Sequence, residues 1–574
     1  MPQAYRRIIH LLLGLVAFCG HAAESGPTAS RLKIAVVQLS RGARSAAERD
    51  RLVSWIAQAA GQGARVVVFP EGAIGGEGEA GAVAPDGVVA AIREAARNHG
   101  IYVVTGGASY SAEIKKPANW MIVIGPDGRE VFRSDKLYDR HDAAMPGVFR
   151  IDGVPCSTMI CADRWLRGVE EIPIQQGAQI SFELSGNFPT EWVPSFQWYW
   201  YVPRALRNNV WVVFANRAGR QSGETASPLT GHGHSAIIAP DGAIVAARPD
   251  EEDGMIVAEI EVARANRAEA VARAAHPALQ KFWAAGLALQ RGKSVDAPAL
   301  KSLPSPKADI TLATATITGE VSALVAAIRT AKAKGADVVA FPAGAIAEEN
   351  IEPLRAAARE HRLTVVVGAT HRTPGGAFNS AFVIGPNGTL LTRYDQLSAA
   401  APFQPGTAPA KMWFTVKGVP AIVTIGRDAL WTELAEMAAV AGARLVIHLD
   451  GDTAATDEAR QRRLQVWSNH ASFLTFTATV GPVDAAIWDD LRGMEEISAE
   501  AKRRSRPDTG AVAVYSPWSA NLVARTPASS PAELLVATRT IPAGPNPHHP
   551  LQTTRYNPQM DAWYRLGAAM IRGQ

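Results

Sequence analysis

The feature of this sequence that most constrains its fold is an internal repeat. Residues 63–74, GARVVVFPEGAI, recur as residues 335–346, GADVVAFPAGAI, and one of the few differences replaces the carboxylate of Glu71 by the methyl group of Ala343. The other matching pairs of segments, in chain order, are 122–137 with 382–397, 153–165 with 418–431, 233–247 with 510–524, and 276–283 with 557–564. Ordered matches at similar spacing indicate a tandem duplication of a unit of roughly 260 residues.

Each unit contains both strand-like and helical patterns. Apolar runs such as RVVVF and VWVVFANR alternate with amphipathic stretches, and PDG or PNG turns join neighbouring strand-like runs. This mixture favours an α/β domain whose sheets are covered by helices over an all-β sandwich, although it does not give the strand order. The predicted organisation is a signal peptide at 1–23, a first unit at 31–292, a Pro- and Ala-rich linker at 293–308, and a second unit at 309–574.

The first residues have the layout of a cleaved secretory signal. Arg6 and Arg7 precede an apolar run that is too short to span a bilayer, and small residues follow it. Cys19 follows Phe18, where a lipidated cysteine needs a small neighbour, so a lipoprotein anchor is not expected. We therefore expect a periplasmic or secreted protein with no membrane span after the signal is removed. A net charge of +4 without a dense Lys/Arg stripe argues against a nucleic-acid partner.

Two cysteines remain beyond the signal, both in the first unit. Cys156 and Cys161 lie in the run VPCSTMIC, which is typical of a buried strand that ends in a turn. Along a strand their separation is roughly 16 Å and their side chains point to opposite faces, so the two should not form a disulfide. Either could be an inert core residue, but Cys161 lies where the apolar run ends.

The repeat singles out three side chains of the first unit, Glu71, Lys136 and Cys161. The second unit has Ala343, Gln396 and Gly426 at the corresponding positions. Losing three separate structural residues would be costly, whereas members of one site can all be lost once one is gone. The pattern therefore favours a shared site in the first unit.

These residue types suit thiol-dependent chemistry. A thiol attacks as the thiolate and needs a base nearby, which a carboxylate can supply. A lysine and a backbone N–H after the nucleophile can stabilise the resulting oxyanion. Nucleophiles often occupy strained turns, and Gly426 would relieve such strain in a unit that had abandoned catalysis.

The motifs FPEG with Glu71, DKL with Lys136 and ICADRW with Cys161, in this order, resemble the Glu-Lys-Cys triad of the nitrilase superfamily of carbon-nitrogen hydrolases. The resemblance covers about 32–262 and, in degenerate form, about 309–542. It implies two tandem αββα sandwiches, with Glu71 as general base, Cys161 as nucleophile, and Lys136 with the N–H of Ala162 as oxyanion stabiliser. It also implies a metal-free, cofactor-free enzyme.

The sequence departs from the family pattern at two places. The family usually has a second glutamate between the lysine and the following PG, and here only Asp139, His141 and Asp142 could substitute for it. His141 and Asp142, together with Trp165, are therefore candidates for positioning the substrate. A helix motif that normally carries a glutamate has Arg207 instead, so a usual helix contact has changed.

An aromatic run and a pair of histidines are two further candidates for site residues. If 198–201, WYWY, is helical, its side chains point in all directions, so packing explains it better than a pocket lining. His232 and His234 have ligand-like spacing, but no third ligand is evident, so no metal is expected.

Two function classes remain open from the sequence. The first is a secreted amidase that hydrolyses a small amide through a Cys161 thioester, with nitrile hydrolysis or acyl transfer as relatives. The second is a non-catalytic binding or scaffold protein. In either case the second unit is expected to act as an intramolecular partner in a pseudo-dimer, and further homo-oligomerisation stays open.

Overall fold

The fold is taken from a computed structural model. The structure describes residues 29–40, 43, 45–75, 85–111, 116–138, 144–186, 198, 200–218, 233–472, 474–489, 521–526, 534–546 and 558–574. No helix within these ranges is long and apolar enough to cross a bilayer. The predicted signal peptide lies outside the described residues.

The first half of the chain alternates strands and helices. In chain order the elements are β1 Arg31–Gln38, α1 Ala46–Gly61, β2 Val66–Val68, α2 Pro85–His99, β3 Tyr102–Ser111, β4 Lys116–Ile124, β5 Glu130–Asp135, β6 Phe149–Ile151, β7 Val154–Ile160, α3 Arg167–Gln175, β8 Ile180–Ser185, α4 Tyr201–Asn208, β9 Trp211–Asn216, β10 Ala236–Ile238, β11 Ile244–Ala247, β12 Gly254–Glu261, α5 Ala268–Ala275 and α6 Gln280–Gln290. The strands coincide with the Val- and Ile-rich runs, as β-branched side chains favour. A capping box of Ser45 and Glu48 begins α1.

Two six-stranded sheets stack face to face in this half. Their strand orders are β12-β1-β2-β3-β4-β5 and β11-β10-β9-β8-β7-β6. The facing side chains form one buried apolar core, which includes Val36 and Val68 from the first sheet and Ile160, Phe182 and Val213 from the second. Close packing between two such faces is the main source of stability for a layered fold.

Helices cover the outer face of each sheet. Leu52 and Ile56 of α1 and Ile92 of α2 pack outside the first sheet. Ile174 of α3 and Ala205 of α4 pack outside the second. The resulting four layers confirm the αββα sandwich that the family resemblance implied.

The sheet topology brings three turns of the chain to one place. Strands β1, β2 and β3 are parallel, and so are β7, β8 and β9. Carboxyl ends of parallel strands meet at one edge of a sheet, where ligands of α/β proteins usually bind. Glu71 follows β2, Gly186 follows β8 and Cys161 follows β7 directly.

The second half repeats the architecture. Its elements are β13 Ala308–Thr314, α7 Val321–Ala333, β14 Val338–Ala340, β15 Ile346–Ala347, α8 Ile351–His361, β16 Thr364–Thr373, β17 Gly376–Ile384, β18 Leu390–Asp395, β19 Trp413–Val416, β20 Val419–Ile425, α9 Glu433–Ala441, β21 Leu445–Leu449, α10 Asp457–Ala471, β22 Phe476–Val480, β23 Ala485–Asp489, β24 Asn521–Arg525, β25 Leu535–Ile541 and α11 Pro558–Ile571. The sheet orders are β18-β17-β16-β14-β13-β25, with β15 beside β16, and β19-β20-β21-β22-β23-β24.

Details of pairing also repeat between the halves. The β4–β5 hairpin shifts register between Val123 and Ile124, and the β17–β18 hairpin shifts between Val383 and Ile384. Each shift lies just before the repeated PDG or PNG turn. Residues 291–307, all of them described, contain neither helix nor strand. The structure thus confirms the duplication, although most of the predicted 510–524 match lies outside the described residues.

Helices of the two halves pack directly against each other. Phe282 of α6 stacks on Trp563 of α11 with ring centroids 4.6 Å apart. The indole Nε1 of Trp563 donates to the carbonyl oxygen of Phe282 at 2.7 Å. Arg427 forms an ion pair with Glu269 of α5. Buried residues from both halves consequently belong to one continuous core.

Candidate active site

Glu71 lies in the tight turn that follows β2. Its side chain is buried, and its Oε1 accepts hydrogen bonds from Asn119 Nδ2 at 2.5 Å and from Lys136 Nζ at 2.7 Å. A Cβ atom added to Gly186 would lie 3.0 Å from Glu71 Oε2. Glycine at position 186 therefore leaves room for the carboxylate where the two sheets meet.

Lys136 follows β5 and reaches Glu71 across the first sheet. Its backbone N–H donates to the carbonyl oxygen of Asn119 at 2.9 Å, so Asn119 holds both partners of the ion pair. Burial disfavours the charged amine, but Glu71, Cys161 and Asp163 together outweigh burial and raise the pKa of Lys136. The side chain is thus a buried cation that remains protonated at neutral pH.

Cys161 occupies a strained position at the end of β7. It begins the 3₁₀ helix Cys161–Trp165 with a φ of 47° and is only 9% exposed. A left-handed backbone costs a non-glycine residue roughly 1–2 kcal/mol, and such strain clusters at functional sites. The strained turn predicted from Gly426 is therefore observed, and Gly426 itself has a φ of 59°.

Asp163 is a site residue that the sequence analysis missed. It is buried two positions after Cys161, and its carboxylate accepts from the N–H of Tyr138 at 2.7 Å and from the N–H of Ile160 at 3.3 Å. Burial, opposed by Lys136, raises the pKa of Asp163 to about 7. These bonds tie the segment after Lys136 to the turn of Cys161. The retention of an aspartate at 428 in the second unit was an available signal.

Arg164 is a second residue that the sequence analysis missed. Its Nε donates to the carbonyl oxygen of Cys161 at 2.7 Å, and its Nη2 donates to Ser185 Oγ at 3.0 Å. The same guanidinium forms an ion pair with Glu183 at 2.8 Å. Arg164 therefore fixes the Cys161 turn to the neighbouring strand β8.

Two other predicted site residues, Ala162 and Trp165, belong to the 3₁₀ helix that Cys161 begins. Ala162 is half-buried in the same 3₁₀ helix as Cys161. Trp165 is half-buried, and its ring meets that of Trp200 edge to face with centroids 4.7 Å apart. His141 and Asp142 lie outside the described residues, as does the third substitute for the family glutamate, Asp139.

The second unit keeps the backbone frame of this site and lacks its three side chains. Asn379 Nδ2 donates to Gln396 Oε1 at 2.7 Å, and the Gln396 N–H donates to the carbonyl oxygen of Asn379 at 2.9 Å, as at Asn119. A Cβ atom added to Gly426 would lie 2.7 Å from Gln396 Oε1. The amide of Gln396 thus occupies the space that a cysteine at 426 would need. Ala343 leaves no acid there.

Cys156 and His234 make other contacts within the first unit. Neither Cys156 nor Cys161 forms a disulfide, and burial raises the pKa of Cys156, which keeps it protonated inside the core. Burial lowers the pKa of His234, whose Nδ1 lies 3.3 Å from the carbonyl oxygen of Arg248. His232 lies outside the described residues. Within the described ranges no group of three or more His, Cys, Asp or Glu side chains is arranged to hold a metal.

Comparisons with known proteins identify the family of this chain. The family description "Carbon-nitrogen hydrolase" matches residues 33–270 and 308–473, more than half of the sequence. The chain therefore belongs to the carbon-nitrogen hydrolase family and contains two segments of it.

Individual relatives are similar over part of the chain. The omega-amidase NIT2 of Danio rerio is 29% identical over 255 residues, which is 41% of this chain and 89% of its own. Among solved structures, a double mutant of the amidase from Nesterenkonia sp. AN1, in complex with acrylamide, is 18% identical over 45% of this chain and 99% of its own, with a TM-score of 0.35. Nit3 of Saccharomyces cerevisiae, a member of branch 10 of the nitrilase superfamily, is 20% identical over 42% of this chain and 94% of its own, with a TM-score of 0.35.

Proposed function

We propose that the first unit is a thiol-dependent amidase that hydrolyses a small amide to an acid and ammonia or an amine. The observation that carries this proposal is the buried ion pair of Lys136 and Glu71, 2.7 Å apart, with Cys161 close enough to raise the pKa of Lys136. A base, a fixed cation and a thiol on a strained turn are the parts that acyl transfer through sulfur requires.

In the first half of the proposed reaction, Glu71 accepts the proton from Cys161 Sγ. The thiolate then attacks the carbonyl carbon of the amide, and the carbonyl π electrons move to oxygen. Lys136 and the N–H of Ala162 stabilise that oxyanion. When the carbonyl re-forms, the C–N bond breaks, and Glu71 returns its proton to the departing nitrogen. Cys161 is left as a thioester.

In the second half, water replaces the amine. Glu71 accepts a proton from the water while the oxygen of that water attacks the thioester carbon. The C–S bond then breaks, the acid leaves, and the proton returns to Cys161 Sγ. Because Lys136 is paired with Glu71 and remains charged, it can stabilise the oxyanion in both halves without gaining or losing a proton.

The second unit is proposed to be catalytically silent. Gln396 cannot supply a positive charge, Gly426 has no thiol and Ala343 has no carboxylate.

We further propose that the two units form an intramolecular pseudo-dimer, supported by the packing of α6 against α11 and of α4 against α10. Sedimentation of the separately expressed residues 31–292 tests this. A well-folded, fully active monomer would overturn it.

We also propose a periplasmic or secreted location, which is supported by the basic and apolar layout of residues 1–23. Amino-terminal sequencing of the protein purified from its native host tests this directly. A mature chain that begins near residue 24 is expected, whereas an uncleaved chain in the cytoplasm would contradict the proposal.

Ammonia release from a panel of small primary amides tests the activity. The panel is run with the wild-type protein, with Cys161→Ala, and with Cys156→Ala as a control for loss of a buried thiol. We expect release that requires Cys161 and persists in the control. No release from any amide, or equal release by Cys161→Ala, would refute the amidase proposal.

A further inference from the structure

A network of buried charged side chains, the charge network, extends from the Cys161 turn into the second unit. At its near end, Arg164 holds the carbonyl oxygen of Cys161 and pairs with Glu183 at 2.8 Å. Arg204 of α4 pairs with the other oxygen of Glu183 and with Glu170 Oε1 at 3.3 Å. The nucleophile turn is therefore linked through ions to helices α3 and α4.

The middle of the charge network joins α3 to α4 again. Arg207 pairs with Glu170 at 2.5 Å and with Glu171 at 3.0 Å. Its Nη1 also donates to Asn469 Oδ1 of the second unit at 2.8 Å. The arginine that departs from the family motif thus has a role here, because it neutralises two buried glutamates and contacts the opposite unit.

The far end of the charge network crosses from the first unit to the second. Arg167, the first residue of α3, pairs with Glu171 at 2.7 Å and with Glu436 at 2.9 Å, and its Nη2 donates to Thr432 Oγ1 at 2.8 Å. Glu433 lies 3.4 Å from Arg167 and 3.3 Å from Arg273. Glu433 and Glu436 lie on one face of α9, three residues apart.

The positive and negative charges of this charge network balance only when both units are present. All members are buried, and they are Arg164, Arg167, Arg204, Arg207, Arg273, Glu170, Glu171, Glu183, Glu433 and Glu436. The first unit supplies every arginine but only three of the glutamates. Without Glu433 and Glu436, the five buried arginines of the first unit would have only three buried glutamates as partners, and two unneutralised buried cations are a costly arrangement.

The geometry at Arg167 connects this balance to catalysis. Only Leu166 separates Arg167 from the 3₁₀ helix that Cys161 begins, and Leu166 is itself buried. A movement of Arg167 would therefore move the 3₁₀ helix. Small misplacements of a reacting group have large effects on rate, about a hundredfold for 1 Å.

We propose that Glu433 and Glu436 are positioning residues for Cys161, so that the catalytically silent unit supplies a part of the active site's framework. This inference rests on the proposed amidase function of the first unit. It goes beyond association of the two units, because it assigns a catalytic consequence to two side chains that are remote from the substrate.

The test compares the full-length double variant Glu433→Gln/Glu436→Gln with the wild-type protein. The control is Glu458→Gln, which removes an exposed carboxylate from α10 of the same unit. Three quantities are measured: kcat and KM for the amide found in the ammonia screen, the rate at which iodoacetamide alkylates Cys161 as located by peptide mass spectrometry, and the thermal midpoint.

We expect kcat to fall on the order of tenfold to a hundredfold in the double variant, with KM changed less than about twofold. The alkylation rate of Cys161 should fall by about tenfold, whereas the control should match the wild-type protein. Wild-type kcat and alkylation in a folded double variant would overturn the proposal.

If the double variant does not fold, Glu436→Asp carries the test, because it keeps the charge but withdraws it from Arg167 by one methylene. A lower kcat and slower alkylation in folded Glu436→Asp support the proposal, and wild-type values overturn it. If the wild-type protein releases no ammonia from any amide, the proposed function fails. The alkylation rates then still decide whether the two glutamates position Cys161.

Discussion

Asp163 allows a quantitative prediction about pH and stability. Its folded-state pKa of about 7 compares with 3.8 for an ordinary aspartate, because burial disfavours its charged form. Between these values the folded protein binds a proton that the unfolded chain releases, so the free energy of unfolding falls as pH rises. Asp163→Asn removes this titration while keeping an acceptor oxygen for the N–H of Tyr138.

The magnitude follows from the two pKa values. Each pKa unit is worth about 1.4 kcal/mol, so the linkage between pH 4 and pH 8 amounts to about 4 kcal/mol. Asp428, the equivalent buried aspartate in the second unit, has a pKa raised to about 6 by burial, which gives about 2 kcal/mol. The two equivalent aspartates should therefore give pH-dependent stability changes of different magnitude in the same protein.

Urea unfolding at pH 4 and pH 8, followed by tryptophan fluorescence, measures these effects. Between these two pH values the wild-type protein should lose about 4 kcal/mol more stability than Asp163→Asn does, and about 2 kcal/mol more than Asp428→Asn does. Comparing differences cancels the other titrating groups. An equal pH dependence in the wild-type protein and Asp163→Asn would refute the assignment of a buried, protonatable carboxyl group at this position.

Three further variants test the site and its silent copy. Lys136→Gln, which installs the side chain found at Gln396, should lower kcat/KM in the ammonia assay by about a hundredfold to a thousandfold; a loss below threefold would contradict the oxyanion role. Gly426→Ala should lower the free energy of unfolding in urea by about 2–4 kcal/mol, because backbone strain adds to a clash with Gln396. The control Gly344→Ala, at a φ of 63° in open space, should lower it by about 1–2 kcal/mol. Equal losses of stability in the two variants would contradict the clash. Arg207→Met should cost about 3–5 kcal/mol, since two buried glutamates lose a partner; an unchanged unfolding midpoint would contradict that.

Much of the fold could be predicted from the sequence, because the duplication shows the same pattern twice. The strand before Cys161 and the turn after it follow from an apolar run that ends at a polar motif. The strained backbone at Cys161 was predicted from the glycine at 426 in the other unit. Such features are local, so neighbouring residues determine them.

The rest depends on contacts that are distant in sequence. Arg167 and Glu436 are 269 positions apart, and nothing in either segment indicates that they pair. Arg207 was recognised as unusual, but its partner Asn469 lies in the other unit. The sequence of the aromatic run is compatible with a helix, whereas Trp198 and Trp200 lie in turns and α4 begins only at Tyr201.

Intact-mass spectrometry tests the central claim most directly. The mature protein and its Cys161→Ala variant are mixed with one reactive amide, quenched in acid at short times, and mapped by peptide analysis. The account predicts an added acyl mass on Cys161 that appears with ammonia, decays with water, and is absent in the variant. Ammonia release that proceeds at the wild-type rate in Cys161→Ala, with no acyl group on sulfur at any time, would contradict it.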